Sequence, residues 1–212
     1  MFQSQIARIP LLLLALGLAW GGLALQFHLS FPNVIFPNVA AREAGHALLS
    51  FVSTLIILAN LLMALALSVT LLAGRRFPSP SLMTGLAVAI VLIAVSHPYV
   101  PAKLWSPQNL QWRADMLLHN VVPAVFVLFW ILFVPKGRLH WGAPFLWLAW
   151  PILYVGWAVF GSRITGLAPH PSGNSTALVF DAVWIGTVFL LAGLFAAILD
   201  KILGPLRTEE SA

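Results

Sequence analysis

Six long apolar runs constrain this chain more than any other feature of its sequence. A helix needs about 20 mostly apolar residues to cross the hydrocarbon core of a membrane, and six runs are predicted to do so. They cover Ile9–Phe27, Ala47–Ala73, Leu82–His97, Met116–Val134, Pro144–Gly161 and Leu178–Leu199. Only short connections remain between them. The sequence therefore predicts an all-α polytopic membrane protein, a six-transmembrane-helix bundle that forms a single domain over residues 1–212.

The composition excludes most soluble classes. With 60% hydrophobic and 8% charged residues, the chain has too few ionisable groups to cover the surface of a soluble globule. The net charge of +5 does not predict nucleic-acid binding, because the basic residues lie singly or in pairs between the runs and form no cluster. The absence of cysteine excludes disulfides, thiolate metal sites and a cysteine nucleophile.

The basic residues predict how the chain is oriented. Six spans place both termini on one side of the membrane. Seven basic residues fall on that side and four on the other: Arg8, Arg75, Arg76, Lys136, Arg138, Lys201 and Arg207 against Arg42, Lys103, Arg113 and Arg163. By the positive-inside rule, we expect both termini in the cytoplasm and the chain in the cell (inner) membrane. Most of the titratable residues near span ends then lie on the outer side: Glu43, His46, His97, Arg113, Asp115, His119, Arg163, His170 and Asp181.

The fourth run begins with an unusual group of polar residues. His119 follows Asp115 by four positions, so the two share a helical face, and the carboxylate can orient the imidazole. Asp115 is alternatively an interfacial cap. Pro123 follows His119 by four positions, so its missing N–H should leave the His119 carbonyl unpaired and kink the helix. Because an ionisable residue within a span is costly, His119 is a functional candidate.

A polar stripe marks the second run. Glu43, His46, Ser50, Ser53 and Asn60 follow one another at spacings of 3, 4, 3 and 7, which keeps them on one helical face. Thr54 borders this stripe. Such a face is expected to turn toward other helices or a hydrated cavity rather than lipid. The simpler interpretation is that the small hydroxyl residues allow close packing and that Asn60 bonds a neighbouring helix.

The stretch "ADMLLHNVVPAVFVLFWILFVPKGRLHW", followed by "WLAWPILYVGWAVF" and "FDAVWIG", resembles the bacterial six-span branch of the androgen-induced (FAR/AIG-type) membrane protein family. The resemblance implies an intramembrane hydrolase. Animal members of the family cleave esters of hydroxy fatty acids with a threonine nucleophile and a histidine, and His119 matches that histidine. The threonine position differs. Alignment on Asn60 places Ile56 there, whereas alignment on Phe51 places Ser53 there, with Thr54 adjacent.

Three hypotheses for function follow. In the first, Ser53 or Thr54 attacks the ester of a membrane lipid or small hydrophobic ester, His119 accepts the hydroxyl proton and Asp115 orients the imidazole; no cofactor is predicted. In the second, zinc joins the site, although no HxxxH or HxH spacing supports it; its ligands would be His46, His97, His119 and Asp181. In the third, the chain is a non-enzymatic lipid-binding or transport bundle with an outward-facing polar cavity.

Overall fold

Helices account for all the regular structure in the described part of the chain. A computed structural model describes residues 2–31, 55–73, 78–96, 109–165 and 175–209. The helices are α1 (Phe2–Ser30), α2 (Leu55–Leu72), α3 (Pro80–Ser96), α4 (Asn109–Met116), α5 (Val122–Phe133), α6 (Ala143–Trp147), α7 (Ala149–Thr165) and α8 (Ser175–Glu209). A five-residue π-helical segment, Leu117–Val121, joins α4 to α5. The predicted all-α class is thus confirmed for these residues.

Three of the helical stretches are long and apolar enough to cross a membrane, judged by length and composition. They are Ala7–Ser30, Asn109–Phe133 and Ala182–Gly204. Shorter apolar helices cover Ile56–Leu72, Pro80–Ser96 and Ala143–Gly156. The described part of each predicted run is largely helical, but the fifth run, Pro144–Gly161, is divided at Leu148 between α6 and α7 and is not the single helix that its length predicts. The fold is compatible with a helical membrane protein.

The exterior of the bundle is apolar. Leu72, Leu146 and Phe180 are each more than two-thirds exposed, and further exposed leucine, isoleucine and valine side chains occur on α1, α3, α5, α7 and α8. A helix that presents apolar residues all round is typical of a buried or membrane-embedded element. This surface matches hydrocarbon better than water.

The first five helices pack into one group around α5. This helix contacts α1 and α3, while α1 contacts α2 and α2 contacts α3. On α1, the buried positions Leu12, Ala15, Ala19 and Leu23 recur at helical spacing. Small residues at such positions let helix backbones approach closely, as is common in membrane bundles.

The remaining helices pack on another face of α3. Helices α6 and α7 both contact α8, and α8 contacts α3. The Trp147 indole at the end of α6 lies against two glycines: a Cβ built on Gly85 of α3 would meet Trp147 at 2.9 Å, and one built on Gly193 of α8 would meet it at 3.3 Å. Its Nε1 donates to Ser81 Oγ at 3.2 Å. Trp147 thus fills the space between α3 and α8, and a side chain larger than glycine at position 85 or 193 would clash with it.

The turn between α5 and α6 forms a polar end of the bundle, here named the turn end (residues 134–142). Lys136 is only 9% exposed, and its Nζ donates to the carbonyls of Trp130 at 2.6 Å and Val134 at 3.0 Å. These are carbonyls at the C-terminus of α5, where a cation is stabilised by the helix dipole. Lys136 also lies 3.8 Å from the centroid of the Trp130 ring, within cation–π range.

The turn end is attached to α8 by backbone contacts. The Gly137 N–H donates to the carbonyl of Asp200 at 3.0 Å, and the Leu139 N–H donates to Asp200 Oδ2 at 3.0 Å. Gly137 has a φ of +77°, a conformation that favours glycine. A Cβ on Gly204 would lie 2.7 Å from the Gly137 Cα, so only glycine fits at this contact.

Candidate functional site

The candidate site lies where α4 passes into the π segment. Helix α4 begins at Asn109, which has a φ of +54°. Asp115 is therefore the seventh residue of the helix rather than a residue at its start, and it is 5% exposed. The alternative that Asp115 caps the helix is wrong, because the polar sequence "NLQWRA" is itself helical and moves the helix start upstream.

A pair of glutamines holds α4 against α1. Gln111 Nε2 donates to Gln26 Oε1 at 2.9 Å, and Gln26 Nε2 lies 3.4 Å from Gln111 Oε1. Further along, a Cβ on Gly22 would meet Leu118 at 2.9 Å and Leu117 at 3.2 Å. The π segment therefore packs directly on the backbone of α1. Together with the glutamine pair, this contact fixes the position of His119 relative to α1.

His119 and Asp115 are paired across one turn. His119 Nδ1 lies 3.2 Å from Asp115 Oδ1 and 3.2 Å from the Asp115 carbonyl oxygen. The side chains are 16% and 6% exposed respectively. Donation from Nδ1–H to the carboxylate fixes the tautomer that carries its basic lone pair on Nε2. This is the arrangement in which a carboxylate orients a histidine general base.

In a regular α-helix Pro123 would leave the His119 carbonyl without an amide donor, whereas in the π segment it leaves the Leu118 carbonyl without one. The Val122 N–H bonds to the Leu117 carbonyl, five residues back. Continued in that register, the next donor would be the amide of Pro123 and its acceptor the Leu118 carbonyl, but proline has no N–H. Asn60 on α2 supplies the donor: its Nδ2 lies 3.3 Å from Leu118 O in a buried contact.

Asn60 therefore stabilises the π segment from a neighbouring helix. It is 0% exposed, and its Nδ2 also donates to the carbonyl of Ile56 at 2.9 Å. Both amide hydrogens are thus directed at backbone carbonyls. Its Oδ1 is buried and has no hydrogen-bond partner among the described residues. A π-helical segment at such a position is frequently part of a functional site.

Several predicted site residues lie outside the described residues. Ser53 and Thr54 precede the first described residue of α2, and Glu43, His46, Ser50, His97 and His170 are also outside. The backbones of Arg163 and Asp181 are helical, but their side chains are outside the description. Asp181 is the seventh residue of α8. Within the described ranges, no group of three His, Asp or Glu residues is arranged to hold a metal.

Sequence reasoning missed the buried polar residues of the turn end. The sequence analysis places Lys136 on the cytoplasmic side and makes no prediction for Asp200, which follows the last run, yet both are buried: Lys136 is 9% exposed and Asp200 0%. Thr84 is also buried there and accepts a hydrogen bond from Trp130 Nε1 at 2.9 Å. The only sequence signal is an acid directly after an apolar run, and a membrane-interface position explains it equally well.

Comparison with known proteins adds no assignment. No protein-family model, curated protein or solved structure matches this chain. The fold and the candidate site are consequently described by their own residues: a histidine–carboxylate pair on a π segment, packed against α1 and held by Asn60 of α2.

Proposed function

We propose that this chain is a six-span integral membrane protein that hydrolyses lipid esters, with His119 as general base and Asp115 as the residue that positions it. Both termini are on the cytoplasmic side in this proposal, and the site lies in the outer half of the bundle. The substrate is an acyl ester of a membrane lipid or a small hydrophobic ester. The resemblance to the androgen-induced family supports the same assignment.

The pairing of His119 with Asp115 is the observation that carries the proposal. The side chains of this titratable pair are only 16% and 6% exposed, and they lie within a helix long and apolar enough to span a membrane. Titratable residues at such positions are energetically costly and usually mark functional sites. Asn60 would hold the π segment and so set the position of the imidazole along the helix axis. The geometry therefore favours proton transfer by His119 over a role in packing alone.

The nucleophile is assigned from the sequence. Ser53 precedes Asn60 by seven positions and Thr54 precedes it by six, and two helical turns correspond to about seven residues. Asn60 contacts the π segment, so the spacing predicts a hydroxyl on the side of the second span that faces His119. A free hydroxyl is a weak nucleophile at neutral pH and needs a base such as this histidine.

The proposal is tested by ester hydrolysis with purified protein in lipid vesicles. We expect His119→Ala to lower kcat by about 10²- to 10⁴-fold, the usual contribution of a general base. The double variant Ser53→Ala/Thr54→Ala should lose activity to a similar extent. Asp115→Asn should lower kcat less than His119→Ala does, because the imidazole remains but is no longer held by a carboxylate.

His140→Ala is the matched control, because His140 is an exposed histidine in the turn end and should keep full activity. Equal turnover by the wild type, His119→Ala and the double variant would reject the hydrolase. A lipid-binding or transport bundle would then be the remaining function. Retention of the wild-type chain in carbonate-washed membranes tests the membrane placement separately from the chemistry.

A further inference from the structure

The turn end brings together two basic residues that are 63 positions apart in the chain, Arg138 and Lys201. The Gly137 N–H bonds the Asp200 carbonyl at 3.0 Å, and each basic residue directly follows one of these two residues. Bond lengths along this path place the Cα atoms of Arg138 and Lys201 within about 11 Å of each other. Both side chains are long, so one phosphate group can contact both. They are here named the turn-end basic pair.

The described part of the protein does not neutralise the turn-end basic pair. Arg138 is exposed and Lys201 is partly exposed, and no described residue is hydrogen-bonded or ion-paired with either side chain. Asp200 is the acidic side chain that the structure describes at this end, but it is 0% exposed and accepts from the Leu139 N–H. Lys136 differs from the pair, because helix carbonyls accept its ammonium protons. Two uncompensated positive charges therefore face the surroundings of the bundle.

An apolar stripe on α8 leads away from the basic pair, here named the α8 stripe. Its exposed side chains are spaced 4, 3 and 4 residues apart, which keeps them on one helical face: Leu191, Phe195, Ile198 and Ile202. Lys201 flanks the stripe, three residues after Ile198. From Lys201 to Leu191 the helix rises about 15 Å at 1.5 Å per residue. One leaflet's share of a hydrocarbon core about 30 Å thick has the same length.

A tryptophan accompanies the basic pair in the turn end. Trp141 follows Arg138 by three residues and is 58% exposed. Tryptophan is enriched at membrane–water interfaces, where its amphipathic ring lies at the level of the headgroups. Unpaired cations at headgroup level, at one end of an apolar stripe as long as a leaflet, offer charge to a headgroup and hydrocarbon contact to an acyl chain. An amphiphile with a negative headgroup fits both features.

We propose that the turn-end basic pair binds the phosphate of an anionic phospholipid, one acyl chain of which lies along the α8 stripe. The inference rests on the membrane placement in the proposed function, with the turn end at the cytoplasmic face, and not on the chemistry at His119. The cytoplasmic leaflet is the one whose surface is negative, and basic residues close to that surface are attracted to it. A zwitterionic headgroup carries its own cation beside the phosphate, so the pair prefers a lipid with net negative charge.

The preference is tested by native mass spectrometry of the purified protein in an uncharged detergent, titrated with phosphatidylglycerol or phosphatidylcholine. Both lipids carry identical ether-linked chains, so that ester hydrolysis cannot consume the probe. We expect the wild type to bind phosphatidylglycerol more tightly. Arg138→Gln and Lys201→Gln should each weaken that binding by about fivefold and leave phosphatidylcholine binding unchanged. Equal binding of the two lipids to the wild type would overturn the proposal.

Arg113→Gln is the matched control, because Arg113 is an exposed arginine of α4 that belongs neither to the basic pair nor to the α8 stripe. It should leave the preference for phosphatidylglycerol unchanged. A loss as large as that of Arg138→Gln would show that any surface cation suffices and would refute a site at the turn end. Arg138→Lys and Lys201→Arg keep the charges and should keep the preference; its loss in both would show that charge is not its cause.

Inorganic phosphate distinguishes a lipid site from a site for a free anion. It carries the charge but has no acyl chain to cover the α8 stripe, so we expect it to displace no more phosphatidylglycerol than chloride does at equal ionic strength. Displacement by inorganic phosphate alone would assign the basic pair to a free anion and overturn the lipid occupant.

The outcomes separate this inference from the proposed function. If carbonate washing leaves the wild type in the membrane but the protein shows no preference for phosphatidylglycerol, the headgroup site fails and the membrane placement stands. If washing removes the wild type, the membrane placement fails and the lipid occupant fails with it. His119→Ala should keep the wild-type preference, so a loss of hydrolysis and a loss of headgroup preference are distinguishable.

Discussion

The contact between Asn60 and the Leu118 carbonyl makes a prediction that a double-mutant cycle can test. Asn60→Leu removes the Nδ2 donor that lies 3.3 Å from Leu118 O while keeping the volume of the side chain. A buried carbonyl left without a donor costs about 1–3 kcal/mol, and loss of the unpartnered Asn60 Oδ1 offsets part of that. Hydrogen bonds between membrane helices average about 0.6 kcal/mol and reach about 1.7, so we expect a loss of about 1 kcal/mol.

Pro123→Ala supplies the second arm of the cycle. Alanine at this position restores a backbone N–H, which can bond Leu118 O in the π register or the His119 carbonyl in an α register. Either outcome removes the reason for Asn60 to donate to Leu118. Asn60→Leu should therefore cost close to nothing in the Pro123→Ala background, giving a coupling energy of about 1 kcal/mol.

The assay is equilibrium unfolding in mixed micelles of the wild type, both single variants and the double variant. Thr70→Val is the control, because Thr70 is buried like Asn60 but its hydroxyl donates within its own helix, to the Ala66 carbonyl at 2.8 Å. Its effect should add to that of Pro123→Ala within about 0.5 kcal/mol. If Asn60→Leu costs the same with Pro123 and with Ala at position 123, our account of the π segment is refuted.

Two further predictions concern the turn end. Gly204→Ala should destabilise the bundle by about 1–3 kcal/mol, because its Cβ would lie 2.7 Å from the Gly137 Cα. Gly186 lies in the same helix with open space around it, so Gly186→Ala should stabilise the bundle by about 0.5–1 kcal/mol. Thermal unfolding in detergent compares the two variants. Asp200→Leu should cost about 1–3 kcal/mol because the Leu139 N–H loses its acceptor, whereas Asp200→Asn keeps an acceptor oxygen and should cost less than about 1 kcal/mol; equal losses in a denaturant titration would contradict this.

Hydrophobic run length predicted the helices well. The described residues of the six runs are helical except at a few run ends and at Leu148, because every backbone group within a long apolar segment must be satisfied internally, and that constraint is visible in sequence. The same reasoning placed Asp115 and His119 on one face, which the 3.2 Å separation supports. Residues four apart in a helix lie on one face whichever elements pack against that helix, so this pairing can be predicted from the sequence.

The sequence did not predict the π register or the helix that Asn60 contacts. Pro123 predicted a disturbed carbonyl, but whether that carbonyl belongs to His119 or Leu118 depends on one extra residue in the turn, which pattern reasoning does not detect. The role of Asn60 depends on which helix lies opposite it. The burial of Asp200 likewise follows from Gly137 and Gly204 meeting in space, a contact between positions 67 residues apart in the chain.

The close approach of Gly137 to Gly204 has a mechanical consequence. The backbones of the turn and of α8 touch there, and Asp200 adds bonds to Gly137 and Leu139, so α8 has little freedom to separate from α5 at this end. A movement of α8 that widens the gap beside α3 must then be a rotation about that contact. Such a rotation leaves the glycine contact as the fixed point and displaces Trp184, twenty residues up the same helix, further than the residues between them.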